Sequence, residues 1–276
     1  MSFINKKVAV TGHTGFLAGH LCDWLYAHGA QVYKLVGDVR DSATFAELDY
    51  SFDFLFNFGA PSSQILFKRS PDYGIDVTVN GMRNAIKACE QNGIKLVYPS
   101  TGLLSHGQAN EYARGKQICE DLARGARCDI LGVRIFGTYG PGEEKKRDFA
   151  SVPFLFMREM LEGKAPVIFG DGSQKRDFIY IEDTVNSIVT LADKAGESIV
   201  DVGTGVPISF NELVAILNEE LGTDITPEYI HKPGNYIDET GADPTLLNRY
   251  YKTKFDFRKG IKELISYAKS DSHYDN

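Results

Sequence analysis

The sequence predicts a doubly wound α/β fold: a parallel sheet with helices on both faces, and a smaller C-terminal unit attached to it. Three observations carry this. Apolar strands and helical segments alternate from Lys7 to Ile135. Phe52 to Phe58 reads as an apolar run of the kind a strand buried on both faces needs. Past Gly140 the alternation breaks, and Gly, Pro and charged residues cluster over Gly140 to Arg147.

The elements follow in order. Lys7 to Val10 is a short apolar strand that runs into the turn Thr11-Gly12-His13-Thr14-Gly15. Leu17, Leu21, Trp24 and Leu25 then recur at helical spacing. His28-Gly29 closes this helix, the glycine serving as a C-terminal stop. Gln31 to Val36 reads as a second strand and Phe52 to Phe58 as a third. Gly74 to Asn92 predicts a helix, Ile94 to Tyr98 a strand, Glu111 to Arg124 a helix and Ile130 to Ile135 a strand. Two further helices are expected near Val152 to Glu162 and Ser209 to Leu221, separated by the loop-rich Phe169 to Lys175. Phe178 to Ile181 and Ile199 to Val202 look like strands returning to the main sheet. Phe257 to Ala268 is a last helix. The expected division is residues 1–140 with 177–206 as the sheet domain, and 141–176 with 207–276 as the second domain.

Composition narrows the function classes. The chain has 276 residues, 43% of them hydrophobic, enough for a full core. A net charge of -7 argues against a general nucleic-acid or membrane-surface binder, because both rely on basic surface. A small anionic ligand stays open, since a few placed Arg, Lys and backbone N–H groups hold one. Cys22, Cys89, Cys119 and Cys128 show no CxxC spacing, which predicts free thiols and no metal site. No apolar stretch approaches the roughly 20 residues of a membrane span. The opening MSFINKKVAV lacks an apolar signal core, so the expected location is the cytoplasm.

A strand, then Gly12-x-x-Gly15, then an amphipathic helix is the arrangement a pyrophosphate needs. Glycines let backbone approach the phosphates, and the helix start offers free N–H groups and a partial positive charge. Ala18 is small enough to stand where a third glycine would help helix and strand pack. An ordinary strand-to-helix turn is the competing reading of the glycines alone.

Thr11-Gly12-His13-Thr14-Gly15-Phe16-Leu17-Ala18 resembles the TGxxGFLG opening of the extended short-chain dehydrogenase/reductases, the nucleotide-sugar epimerase/dehydratase family. The similarity continues at Gly37-Asp38-Val39-Arg40-Asp41, Asn57-Phe58-Gly59-Ala60 and Tyr112-x-x-x-Lys116. It extends through Arg134 to Gly142 and Gly170 to Phe178. The resemblance implies a Rossmann domain for NAD, with NADP less favoured, and a smaller C-terminal domain for a nucleotide-diphosphate sugar. It implies cofactor contacts from Gly12, Thr14, Gly15, Phe16, Leu17, Asp38, Val39, Phe58, Gly59, Ala60, Tyr112 and Lys116. A homodimer through the helices at 74–92 and 111–124 is expected on the same ground.

Asp38 is the acidic candidate for the adenosine ribose, which such a residue binds about 20 positions after the glycine turn. In the family, however, a GDxRD segment follows the third strand, and here only one strand lies between the glycine turn and Gly37. Either two strands have merged or one is deleted, and Asp38 can then border ribose or adenine.

Tyr112 and Lys116 are one turn apart on a predicted helix and share a face. A free phenol has a pKa of about 10. A nearby ammonium and the positive ring of an oxidised nicotinamide favour phenolate, which makes Tyr112 a base for a sugar hydroxyl. By resemblance Lys116 also holds the nicotinamide ribose, and Thr101 hydrogen-bonds the reacting oxygen. Arg176 matches an Arg that grips the diphosphate with its planar fork of donors. Lys232 stands where a second phosphate-binding Arg is frequent. Val152 and Phe169 are candidates for the base pocket.

Two family asparagines are replaced, by Thr78 and Gly137, and the Thr101–Tyr112 loop is short. The 4,6-dehydratases carry Asp-Glu directly after the Thr, and the decarboxylating relatives a Glu two residues after it. Here Gly102-Leu103 follow. The expected reaction is therefore epimerisation at C4 through a transient 4-keto sugar, with a 4-ketoreductase or dehydrogenase as the alternative. A catalytically weak dinucleotide or nucleotide-sugar binder is the reading from a different class.

Overall fold

A computed structural model describes residues 3–62, 67, 70–107, 110–234 and 236–270. In chain order its strands are β1 (Lys7–Thr11), β2 (Gln31–Lys34), β3 (Phe54–Asn57), β4 (Lys95–Thr101), β5 (Ile130–Ile135), β6 (Gly137–Tyr139), β7 (Val167–Phe169), β8 (Lys175–Tyr180), β9 (Ile199–Val202), β10 (Pro207–Ser209), β11 (Glu228–Ile230) and β12 (Glu239–Thr240). The described α-helices are α1 (Phe16–Ala27), α2 (Pro71–Asn92), α3 (Glu111–Arg124), α4 (Val152–Leu161), α5 (Ile181–Lys194), α6 (Phe210–Leu221) and α7 (Phe257–Ser270).

Six parallel strands form the main sheet in the order β2-β1-β3-β4-β5-β9. Alternate residues of its central strands face opposite cores. Val8, Val10, Phe54 and Phe56 point into one cluster, with Leu21 and Leu25 of α1 and Ile188 of α5. Ala9, Leu55 and Leu96 point into the other, with Met82, Ala85 and Cys89 of α2 and Cys119 of α3. Burial on both faces is why β3 carries no polar–apolar alternation.

The order reverses between β2-β1 and β3-β4. The crevice at the carboxyl ends of β1 and β3 is thus the switch point where ligands of doubly wound sheets sit. Beyond β1 on that side there is one strand, the edge strand β2. Between β2 and β3 the chain makes a 3-10 turn at Ser42–Phe45 and no further strand or crossover helix. The short region noted in the sequence thus holds one strand, β2, and a 3-10 turn before β3.

One strand expectation is corrected. Phe178 to Ile181 does not return to the main sheet. Lys175–Tyr180 is β8, at the centre of a second sheet, antiparallel to β10 and parallel to β6 and β12. Ile181 already belongs to α5, a helix absent from the sequence reading. That helix has no side-chain N-cap, begins directly at the strand end and is rich in Val, Ile and Thr. Glu182 and Asp183 in its first turn are its one start signal, and tertiary burial overrides the weak propensity of its β-branched residues. Trp24 of α1 donates to Asn186 of α5 at 3.1 Å, tying the two helices together. Ile199–Val202 does join the main sheet, beside β5.

Candidate active site

The glycine turn has a backbone that other residues would not tolerate. Gly12 has φ +68°, and a Cβ there would fall 2.5 Å from the Phe58 carbonyl oxygen and 2.8 Å from the Gly59 nitrogen. Thr11 Oγ1 donates to Asn57 at 2.8 Å and accepts from the Gly59 N–H at 3.0 Å, which fastens the end of β1 to the segment after β3. Gly15 is the N-cap of α1; no side chain caps this end and its first turn holds no acidic residue. Thr14 and Gly15 are exposed, Phe16 and Leu17 half-buried. The helix start thus presents backbone donors and uncompensated positive potential. His13 Nδ1 is buried without a hydrogen-bond partner in the same turn. These features fit a pyrophosphate.

Phe58 and Gly59 abut the glycine turn, Val39 packs on Gly59, and the Ala60 N–H donates to the Phe58 carbonyl at 2.9 Å. Val39 is buried, and its methyl groups fill the space that side chains at Gly59 and Gly81 would need. Asn84 of α2 donates to the carbonyls of Val39 and Arg40 at 3.0 and 2.8 Å. Asp38 is exposed beside Val39. Hydrogen bonds from Arg40 hold its carboxyl down to about 2. Arg40 also reaches Asp76 at 2.9 Å. The guanidinium therefore faces two carboxylates and is not a free cation for a 2'-phosphate, which favours NAD over NADP.

Thr101 ends β4, and Tyr112 and Lys116 lie on α3 beside it. Asn110, the N-cap, accepts from the Ala113 N–H at 2.9 Å and so sets where α3 begins. Tyr112 packs edge-on against Phe67 with ring centres 5.3 Å apart. Burial pushes its phenol up to about 12, and a hydrogen bond with Thr101 opposes that rise. Lys116 is buried, and burial pulls its ammonium below the usual value. Its Nζ donates to the Pro99 carbonyl at 2.9 Å and lies 5.8 Å from the Tyr112 ring centre. The trio forms one cluster at the carboxyl end of β4. The free protein holds the phenol protonated, so a base at neutral pH requires added positive charge beside it.

The replaced positions have physical reasons. Thr78 turns its hydroxyl back onto the Gly74 carbonyl at 2.7 Å within α2. A Cβ at Gly137 would meet the Asp177 carbonyl oxygen at 2.9 Å. At Gly102 a Cβ would fall 2.6 Å from the Phe136 ring, so Phe136 occupies the space an acidic side chain would need. The short loop after Thr101 is braced: Ser105 bonds Asp201 at 3.0 Å, and His106 lies 2.8 Å from the Gly241 carbonyl.

Arg176 of the second sheet, Phe169 of β7, which pairs with β11 in a separate two-stranded sheet, and Lys232 meet around Tyr236 and Asp238. Arg176 donates to the carbonyls of Lys175 and Ile237, each at 2.7 Å, and lies over the rings of Phe210 and Tyr236 at 5.7 and 5.3 Å. Burial pulls its guanidinium below the usual value. Phe169 packs on Tyr236 with ring centres 5.5 Å apart. Lys232 pairs with Asp238 and lays its aliphatic stem along Gly170. Val152 is one step removed, in the first turn of α4. Phe156 of that helix packs on Phe210, 6.0 Å between centres, beneath Arg176.

Sequence reasoning missed Tyr236, whose only signal is an aromatic residue just after the Pro233-Gly234 turn. It also missed the buried ion pair behind Thr101. Glu120 takes two hydrogen bonds from Arg134, at 2.7 and 2.8 Å, and one from Ser100 at 2.6 Å. These partners come from α3, β5 and β4, and no local pattern links them.

Known proteins resemble this chain throughout its length. The model of the NAD-dependent epimerase/dehydratase family matches residues 8–203. A UDP-glucuronate 4-epimerase of Thermodesulfobacterium geofontis is 26% identical over 80% of this chain and 74% of its own. UDP-glucuronic acid decarboxylase 1 of Arabidopsis thaliana is 25% identical over 94% of this chain and 69% of its own. Among solved structures, a UDP-N-acetylglucosamine 4-epimerase from Methanobrevibacter ruminantium superposes with a TM-score of 0.89. It is 23% identical and covers 97% of this chain and 99% of that one.

Proposed function

Because this chain belongs to the NAD-dependent epimerase/dehydratase family, we propose that it is an NAD-dependent nucleotide-sugar epimerase acting at C4 through a transient 4-keto sugar. It would act in carbohydrate biosynthesis as a cytoplasmic homodimer. The relatives include both 4-epimerases and a decarboxylase, so the family leaves the reaction open. The observation that carries the choice lies after Thr101. Gly102 and Leu103 supply no acid, and Phe136 fills the space at Gly102. Elimination and decarboxylation would need that acid, and epimerisation does not.

NAD, held by these residues, would supply reversible hydride exchange at the sugar carbon. The residues of this chain do the rest. The glycine turn and the start of α1 hold the pyrophosphate, and Asp38 takes the adenosine ribose. Lys116 holds the nicotinamide ribose and adds positive charge beside Tyr112. Tyr112 removes the proton of the sugar hydroxyl and later restores it. Thr101 orients the same oxygen. Arg176 and Lys232 grip the diphosphate, and Phe169 lies against the base. Val152 borders that pocket from α4.

The test is incubation of the purified chain with UDP-, dTDP-, GDP- and CDP-sugars, with and without NAD, the products read by NMR. The expected outcome is a C4 isomer with no net change in nicotinamide absorbance. Stoichiometric oxidation or reduction of the cofactor would replace this reading by a ketoreductase or dehydrogenase. Binding without turnover would leave a nucleotide-sugar binding protein.

A further inference from the structure

Three residues assigned to the nucleotide diphosphate are already in contact with one short segment of the chain. The Phe169 ring meets the Tyr236 ring at 5.5 Å between centres, and the Arg176 guanidinium lies 5.3 Å from that same ring. Lys232 pairs with the Asp238 carboxylate. The backbone of the segment is fixed against β8. Arg176 Nη2 donates to the Ile237 carbonyl and the Lys175 N–H to the Asp238 carbonyl, each at 2.7 Å, and Glu239 enters β12 opposite Lys175. The side chains at 236 and 238 are less confined. Tyr236 is half-buried, and the side chain of Asp238 is 77% exposed. Both can rotate away without the sheet opening.

Each contact has the chemistry of the ligand group it faces. A flat ring against Phe169 and beside a guanidinium is what a nucleotide base presents. At 5.5 Å the two rings touch directly, and no third ring lies between them. A carboxylate against an ammonium is what a phosphate presents. A diphosphate brought to Lys232 meets the Asp238 charge at the same ammonium, and like charges repel. The exposure of both Lys232 and Asp238 keeps their pair weak and exchangeable.

We propose that Tyr236 and Asp238 occupy the nucleotide-sugar site of the free chain as stand-ins for base and phosphate, and that the nucleotide sugar binds by displacing both side chains. The inference rests on the roles given above to Phe169, Arg176 and Lys232, and adds a self-occupied state to that site. A ligand that carries base and diphosphate together displaces both contacts. Inorganic diphosphate displaces Asp238 alone and leaves Tyr236 in place. The cost of displacement lowers the apparent affinity of every ligand by the fraction of chains whose site is clear.

The test uses the full chain and equilibrium calorimetry, with no turnover needed. The probes are UDP, dTDP, GDP, CDP and inorganic diphosphate. Asp238→Asn keeps the shape and removes the charge, and is expected to tighten every probe that binds by about threefold. Tyr236→Leu is expected to tighten the nucleoside diphosphates by about fivefold and to leave inorganic diphosphate unchanged. Circular dichroism melting checks that each variant folds. Unchanged or weaker binding in Asp238→Asn overturns the role given to Asp238. Unchanged or weaker nucleoside diphosphate binding in Tyr236→Leu makes Tyr236 a wall of the pocket and overturns its role, as does tighter inorganic diphosphate in that variant. A double variant, Arg176→Ala with Lys232→Ala, tests the underlying site. Undiminished affinity there, or no binding in the unaltered chain and in both single variants, overturns the site assignment and this inference with it.

Discussion

Tyr112 is where the chemistry of a single residue is most exposed to test. Its folded pKa of about 12 lies above the ordinary 10.0 because burial disfavours phenolate. The folded chain therefore binds that proton more tightly than the unfolded chain. The stability this supplies is complete below pH 10 and is lost as pH rises through 12. The unfolding temperature should fall over that window, and less steeply in Tyr112→Phe. The same pair of proteins, titrated by phenolate absorbance, should show a lower Tyr112 pKa once NAD is added. An unmoved titration would mean that the cofactor's charge does not reach the phenol. Tyr112→Phe should also lower kcat by about a hundredfold or more with NAD affinity retained, since a positioned base contributes on that scale. At Gly12 a side chain meets backbone 2.5 Å away at a positive φ. Gly12→Ala should therefore melt well below the unaltered chain and lose NAD binding.

The elements are held to one another by buried polar groups that hydrophobic patterning does not reveal. Glu120 on α3 is 4% exposed and joins β4 through Ser100 and β5 through Arg134. Glu120→Gln leaves the guanidinium without its charge partner and should destabilise the fold by about 2 kcal/mol or more, read by denaturant midpoint. It should also lower turnover, because Ser100 and Thr101 are consecutive on β4. A midpoint that does not move would mean the pair is replaceable by water. Helix starts, by contrast, are local. Ser209 and Glu212 form a reciprocal capping box at the start of α6, and Ser209→Ala should cost about 1 kcal/mol. The same logic explains which elements were legible. Glu111–Arg124 and Ile130–Ile135 have the bounds the sequence predicted, since a capped amphipathic helix and a short apolar strand announce themselves. Ile181–Lys194 is amphipathic but has no side-chain cap and follows its strand without a break, and β8 looked like a main-sheet strand because apolar residues alone do not say which sheet a strand joins.

Across the whole molecule, ligand linkage gives the broadest check. A dinucleotide that binds only the folded chain raises its stability by about 2.7 kcal/mol at a hundredfold excess over Kd. NAD should raise the melting temperature, and NADP at the same concentration should raise it less. Equal shifts would contradict the charge arrangement around Arg40. The proposed homodimer through α2 and α3 predicts twice the chain mass by light scattering. Arg83, Lys87, Glu90 and Asp121 lie on that face beside Ile86 and Leu122. Charge reversal there should return the protein to a monomer. The sequence by itself determined the alternating architecture, the glycine turn and the family, because strand burial, helix spacing and a tight turn are set by residues close along the chain. Tertiary structure decided what distant residues do to one another. It placed β8 in a second sheet, made β2 the edge of the main sheet, filled the space at Gly102 with Phe136, and set Arg40 between two carboxylates. Each depends on segments that meet only when the chain folds, and short-range periodicity carries no record of such meetings.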